Sequence, residues 1–201
     1  MKALYPFFIA FILIFLAELG DKTQLLVLSF ASKSKTRNIL LGIAIGTFFS
    51  HGLAIIFGGS IGALQNETVL FVLKFITYIT FLMLGIIGFL PKKDNNTEHE
   101  NNLLKHLGKS SLNYVFIIAI AIMVGELGDK TFLATMGLGL EYPRFKLALI
   151  AGSILGMVVS NSIAILFGIF LERNFQKKYI EIVSNLIFIV FGIIGFIMQF
   201  I

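Results

Sequence analysis

Six apolar segments, each long enough to cross a lipid bilayer as a helix, make up most of this 201-residue chain. A membrane-spanning helix needs about 20 consecutive apolar residues. The segments cover residues 5–30, 39–64, 69–90, 114–139, 147–171 and 179–200. We therefore predict an all-α integral membrane protein with six transmembrane helices and the lipid bilayer as its surroundings.

Composition narrows the possible functions. The net charge of +5 would suit a nucleic-acid partner, but the Lys and Arg residues lie in short loops between apolar segments. Basic residues at such positions normally set membrane orientation, so we expect no nucleic acid. The chain has no cysteine, which excludes thiolate metal sites and thiol catalysis. Nothing resembles a nucleophile–base pair or an open zinc site, so we expect a transporter without a cofactor rather than an enzyme.

The chain consists of two similar halves. The string ELGDKT begins at Glu18 and returns unchanged at Glu126. The second apolar segment of each half carries small residues spaced four apart, which are Gly42, Gly46 and Ser50 in one half and Gly152, Gly156 and Ser160 in the other. We predict two three-helix repeats, residues 1–90 and 114–201, joined by a polar linker at residues 91–113.

The repeat also predicts the topology. Because three spans per repeat is an odd number, the second repeat must enter the membrane from the opposite side, which is typical of secondary transporters. Most Lys and Arg residues follow the first, third and fifth segments. This places the linker in the cytoplasm and both termini outside. The small-residue ladders predict close packing of segments 2 and 5 against segments 1 and 4, although they could equally serve a homodimer.

Each ELGDKT string places ionisable residues inside an apolar segment. In a continuous helix the charged residues of each copy share one face, namely Glu18, Asp21 and Lys22 in the first copy and Glu126, Asp129 and Lys130 in the second. An ionisable group at the bilayer centre costs about 2.5 kcal/mol or more. We therefore expect these groups to face one another or a watered cavity near the midplane.

Two interpretations of the charges are open. Glu18 with Lys22, and Glu126 with Lys130, could be internal salt bridges that only lower the cost of insertion. That interpretation leaves the aspartates unexplained, because four carboxylates and two lysines carry a formal charge of −2. One divalent cation or two protons would neutralise this charge, and an exchanger needs those two states. We favour an ion site formed by the four acids, with the lysines holding the acids in place.

The surrounding residue types limit which ions the site could bind. Carboxylates, hydroxyls and amides form a hard oxygen site that suits Ca²⁺, Mn²⁺ or Mg²⁺. The candidate supporting residues are Thr23, Gln24, Ser50, His51, Thr131, Ser160 and Asn161. His51 is either an ordinary bundle residue or a nitrogen ligand or proton acceptor, and a ligand role would favour Mn²⁺ over Ca²⁺. Crowded carboxylates resist simultaneous ionisation, so protons and metal should compete for them. Gly20 and Gly128 allow either close helix approach or a local helix break.

Two copies of E-x-G-D-[KR]-[ST], one per three-span repeat, resemble the Gdt-one family of small cation/proton exchangers. The resemblance covers nearly the whole chain and implies exchange of Mn²⁺ and Ca²⁺ against protons. It places Glu18, Asp21, Glu126 and Asp129 at the positions of the family's acids. Bacterial members look like manganese exporters of the cytoplasmic membrane. The lack of a visible amino-terminal targeting extension favours a bacterial member.

We therefore expect a divalent cation/proton antiporter that exports Mn²⁺, with Ca²⁺ as a second candidate, in exchange for incoming protons. Its partners would be divalent metal ions and protons. An alternative is a six-helix exporter of small basic organic solutes such as amino acids, and another is a membrane scaffold that transports nothing. The order of ion preference, the proton stoichiometry and the oligomeric state stay open.

Overall fold

The structure, a computed structural model, describes residues 3–19, 21–31, 34–64, 67–87, 89, 113–174 and 177–200. These residues form helices and short connections without a β-strand. The helices are α1 (Leu4–Glu18), α2 (Lys22–Ala31), α3 (Thr36–Gly62), α4 (Glu67–Ile87), α5 (Tyr114–Glu126), α6 (Lys130–Glu141), α7 (Lys146–Asn174) and α8 (Lys177–Phe200). A 3-10 turn, Pro143–Phe145, joins α6 to α7. The predicted linker lies outside the described residues except for Asn113, whose side chain accepts a hydrogen bond from the Val115 amide and caps α5.

The all-helical prediction is confirmed for the described residues. Within them, three helical stretches are long and apolar enough to cross a membrane by length and composition, namely α3, α4 and residues 143–166. Shorter apolar helices are α1, α5 and residues 185–200 of α8. The first and fourth apolar segments are each divided into two helices, α1 with α2 and α5 with α6, at the ELGDKT strings.

The small-residue ladders bring the two halves together. A Cβ atom on Gly46 of α3 would lie 2.6 Å from the carbonyl oxygen of Ala119 in α5. In the other half, a Cβ atom on Gly156 of α7 would lie 2.7 Å from the carbonyl oxygen of Phe11 in α1. Each ladder therefore packs on the first helix of the opposite repeat at backbone distance, as small residues permit. These faces are covered within the chain, and the homodimer stays a prediction.

The contacts are reciprocal in register. Ala119 occupies the position in α5 that Phe11 occupies in α1, since the ELGDKT copies are 108 residues apart. The third helices of the two halves also meet reciprocally, because Gly85 of α4 contacts Ile189 of α8 while Gly192 of α8 contacts Leu82 of α4. The two repeats thus use the same packing surfaces on each other.

The Gly46 contact can be tested with a matched glycine on the same helix. We expect Gly46→Ala to destabilise the protein by about 1–3 kcal/mol, since the added methyl group meets a backbone oxygen that cannot move aside. Gly52→Ala is the control, because a Cβ atom there meets nothing within 4 Å. Thermal unfolding in detergent, followed by far-UV circular dichroism, measures both variants. Equal stability of the two variants would contradict the packing described.

Candidate functional site

The first ELGDKT string interrupts a helix. α1 ends at Glu18, and Leu19 follows with an extended backbone at φ −63° and ψ 120°. The Asp21 amide donates to the Glu18 carbonyl oxygen at 3.3 Å, which closes a short turn before α2 begins at Lys22. Gly20 lies outside the described residues.

The second string forms the same break. Leu127 has φ −62° and ψ 117°, close to the values of Leu19. Gly128 then has φ +79°, a left-handed conformation that residues with a side chain rarely adopt. Asp129 is extended and directly precedes α6, and its amide donates to the Glu126 carbonyl oxygen at 3.2 Å. A glycine at this position therefore supports a local helix break.

These breaks overturn one prediction. The charged residues of each copy do not share a single helix face, because spacing of three and four residues aligns side chains only along a continuous helix. The structure also does not show the internal salt bridge between Glu126 and Lys130. Lys130 instead pairs with the other motif, since its Nζ lies 3.5 Å from Asp21 Oδ1. The side chain of Lys22 lies outside the described residues, so its salt bridge with Glu18 stays a prediction.

Glu126 is fully surrounded by polar partners from both halves. The Thr23 hydroxyl of the first motif donates to Glu126 Oε1 at 2.7 Å. The Thr131 hydroxyl of its own motif donates to Oε2 at 2.8 Å. His51 Nε2 of α3 lies 3.7 Å from the same Oε2. The carboxylate is only 1% exposed, and these contacts offset the cost of burying it.

Glu18, the repeat equivalent of Glu126, has different surroundings. It is 0% exposed, and neither of its carboxylate oxygens has a hydrogen-bond partner among the described residues. Among the described residues, charged neighbours of Glu18 include Glu126, Asp21 and Lys130. A buried carboxylate in such a place is costly unless a proton or a cation neutralises it. The two half-sites are therefore chemically unequal.

The ladder helices supply the remaining predicted residues. Gln24 Nε2 donates to Ser160 Oγ at 3.0 Å, which ties α2 to α7. Ser50 donates to the carbonyl oxygen of Gly46 at 3.1 Å within its own helix. Asn161 Nδ2 donates to the carbonyl oxygen of Met157 at 2.9 Å, and its Oδ1 is buried without a partner among the described residues.

The two motifs are in direct contact, but the acids do not form a compact ligand set in this conformation. Among the described residues, no three His, Asp or Glu side chains lie close enough together to hold a metal ion. Among the described residues, Thr23 contacts Glu126 and Lys130 contacts Asp21 across the two motifs. The site therefore consists of two adjoining polar clusters, and a metal centre that uses all four acids stays a prediction.

Sequence reasoning missed several buried hydroxyls near these residues. Thr47, Thr135 and Ser153 are each 0% exposed. Thr47 lies one helical turn before His51, and Thr135 one turn after Thr131. When the two repeats are aligned, each of the three corresponds to an apolar residue of the other half. A hydroxyl in one repeat opposite an apolar residue in the other is the sequence signal that could have identified these three residues.

Charged side chains buried between membrane-length apolar helices, at paired helix breaks, define a class of membrane proteins that move ions or charged solutes. The sequence narrows the class further. The chain matches the family of the divalent cation/proton antiporter GDT1 over residues 6–96 and 114–200. It belongs to that family, which confirms the resemblance drawn from the two motifs.

Relatives in several organisms are similar over most of the chain. A protein of Vibrio cholerae serotype O1, described as a candidate manganese exporter, is 32% identical over 155 residues, with 76% of this chain and 71% of that protein covered. GDT1-like protein 2, chloroplastic, of Oryza sativa subsp. japonica is 26% identical over 220 residues, covering 98% of this chain and 62% of that protein. GDT1-like protein sll0615 of Synechocystis is 25% identical over 200 residues, covering 92% and 93% respectively. No solved structure matches the chain.

The ion pair between the motifs can be tested with a double-mutant cycle. We expect Lys130→Met to destabilise the protein by about 1–3 kcal/mol, because it leaves the largely buried Asp21 carboxylate without its lysine. The double variant Asp21→Asn with Lys130→Met should recover part of that loss, giving a coupling energy of about 0.5–3 kcal/mol. The control is Lys35→Met, which alters an exposed lysine. Strictly additive effects in thermal unfolding would argue against the pair.

Proposed function

We propose that this protein is a six-span inverted-repeat antiporter that exports Mn²⁺ from the cytoplasm in exchange for protons, with Ca²⁺ as a second substrate. Membership of the divalent cation/proton antiporter family supplies the class of reaction. The observation that carries the proposal is the contact between the motifs, in which Thr23 of one copy binds Glu126 and Lys130 of the other pairs with Asp21. Two elements from opposite halves thus build one buried charged site.

The reciprocal packing supports the inverted topology. Each ladder packs on the first helix of the other repeat in equivalent register, as expected for halves related by a two-fold axis. An odd number of spans per half makes that axis lie in the membrane plane. Loop charge places the linker in the cytoplasm and both termini outside. We assign the protein to the cytoplasmic membrane of a bacterium, in keeping with the Vibrio cholerae relative.

The site chemistry suits a hard divalent cation. Carboxylates, hydroxyls and the unpartnered Oδ1 of Asn161 provide oxygen donors in a largely buried environment. Glu18, whose oxygens lack partners among the described residues, is the group that most needs a proton or a cation. Glu126, Asp21 and Asp129 would complete the ligand set after a small rearrangement. Protons and the metal compete for these acids, so binding of one releases the other.

The helix breaks provide the means of rearrangement. Residues with extended or left-handed backbone, such as Leu19 and Gly128, can absorb rotations that a continuous helix cannot. Movement of α2 or α6 about its break would change access to the site while α1 and α5 stay packed on the ladders. Lys130 holds the first motif through Asp21 and limits the negative charge when the cation is absent.

Reconstituted flux tests the main proposal. In liposomes, we expect a pH gradient to drive Mn²⁺ transport that a fluorescent indicator can follow. Glu18→Gln and Glu126→Gln should each lower the flux by about tenfold or more, because each removes one carboxylate from the site. Glu67→Gln, an exposed glutamate at the start of α4, should keep the wild-type flux. No gradient-dependent flux, or equal flux in all four proteins, would refute the proposal.

The same liposomes test the alternative substrate, a small basic organic solute. If radiolabelled lysine rather than Mn²⁺ moves in response to the pH gradient, the protein is an exporter of basic organic solutes. If neither lysine nor Mn²⁺ moves although the protein is inserted and monodisperse, the protein is a membrane scaffold rather than a transporter of these substrates.

Ion preference is expected to depend on His51. Its repeat equivalent is Asn161, so His51→Asn makes the two ladder helices alike at this position and removes the imidazole beside Glu126. We expect the ratio of Mn²⁺ to Ca²⁺ flux to fall by about tenfold, since imidazole favours transition metals over Ca²⁺. Ser60→Ala, an exposed hydroxyl on the same helix, is the control. An unchanged ratio would remove His51 from the selective site.

A further inference from the structure

Two buried hydroxyls lie in α6 and α7 outside the motifs. Thr135 of α6 and Ser153 of α7 are both 0% exposed. Thr135 donates to the carbonyl oxygen of Phe132 at 2.9 Å, whereas Ser153 Oγ has no hydrogen-bond partner among the described residues. The Ser162 hydroxyl, by contrast, donates to its own backbone four residues earlier. Ser153, like Thr47, is a buried hydroxyl that the described residues do not satisfy, which is unusual.

The repeat shows that these hydroxyls are not needed for packing. Thr135 corresponds to Val27 of α2, and Ser153 to Ile43 of α3. Val27 and Ile43 belong to one buried apolar cluster. Aliphatic residues therefore fill the equivalent space on the α2 side, while the α6 side carries two hydroxyls. A water or a hydrated ion can use hydroxyls but not a valine and an isoleucine.

The sequence positions of Thr135 and Ser153 show on which side of the charged site they lie. Thr135 lies one turn beyond Thr131, and Ser153 lies about two turns before Ser160. Thr135 comes before and Ser153 after the 3-10 turn that joins α6 to α7, so both displacements lead along the chain from the charged residues toward this connection. The hydroxyls therefore lie between the site and the end of the molecule at this connection.

At that end, a polar cluster joins α6 to α4. Lys74 Nζ lies 3.1 Å from Glu141 Oε2, and the Tyr78 hydroxyl donates to the same oxygen at 2.6 Å. Gly137 of α6 also packs against Thr77 of α4. These contacts hold the end of α6 against α4.

We propose that the ion route between the charged site and the α6 end passes Thr135 and Ser153, and that the pairing of Glu141 with Lys74 and Tyr78 closes this route. The ligands of the route are water and a hydrated divalent cation. The inference rests on the proposed function and adds to it a path and its closure. Separation of Glu141 from Lys74 would release α6 from α4 and let water reach the hydroxyls.

The chain has no native cysteine, so single cysteines report water access directly. The probe is a small cationic methanethiosulfonate, applied to the full-length protein in detergent. We expect Ser153→Cys to react about tenfold faster than Ile118→Cys, which lies at an equally buried helix interface against Gly42. Thr135→Cys serves as the second reporter if Ser153→Cys does not elute as a monodisperse protein.

The closure is tested in the same background. Lys74→Met should raise the Ser153→Cys reaction rate by a further factor of about ten, because the α6 end opens more often. It should leave the Ile118→Cys rate unchanged. Arg144→Met, an exposed residue of the connection between α6 and α7, is the control and should leave both rates unchanged.

The outcomes separate this route from the transport proposal. Ser153→Cys and Thr135→Cys reacting no faster than Ile118→Cys, or Lys74→Met having no effect, would overturn the route even if Mn²⁺ flux is intact. Fast labelling that Lys74→Met increases would support the route even if no Mn²⁺/proton exchange is found.

Discussion

The structure depends on the need to satisfy carboxylates that are buried between apolar helices. Burial removes these groups from bulk water, so partners must come from the chain or from a bound proton or cation. Glu126 obtains them from both halves, through Thr23 and Thr131, with His51 close by. Such partners can converge only if the helices carrying them approach closely, which explains glycines that face backbone carbonyl groups of the opposite repeat. Close packing at the ladders is therefore what allows the charged motifs to find their partners.

A nearly symmetric sequence produces an asymmetric site. The two ELGDKT copies are identical, yet Glu126 is hydrogen bonded on both oxygens while Glu18 has no such partner among the described residues. The threonines of both motifs, Thr23 and Thr131, donate to Glu126 rather than to Glu18, and His51 beside Glu126 stands where the other half has Asn161. Two identical motifs therefore have unequal surroundings.

The second motif segment has partners on both sides of its break. α5 packs on the ladder of α3, and beyond the break Gly137 and Glu141 of α6 contact α4. The break at Gly128 separates these two sets of contacts.

The sequence by itself determined the helical class, the two repeats and the small-residue packing faces, because apolar length and fixed spacing are local properties of the chain. It also indicated the acids, since ionisable residues in apolar segments are rare and costly. It did not determine how the charges pair. Glu126 and Lys130 are close in sequence, so a continuous helix suggested a local salt bridge, but the break at Gly128 and the approach of the other repeat direct Lys130 to Asp21. Only the tertiary structure decides such partners, because they lie about a hundred residues apart and meet through the packing of whole helices.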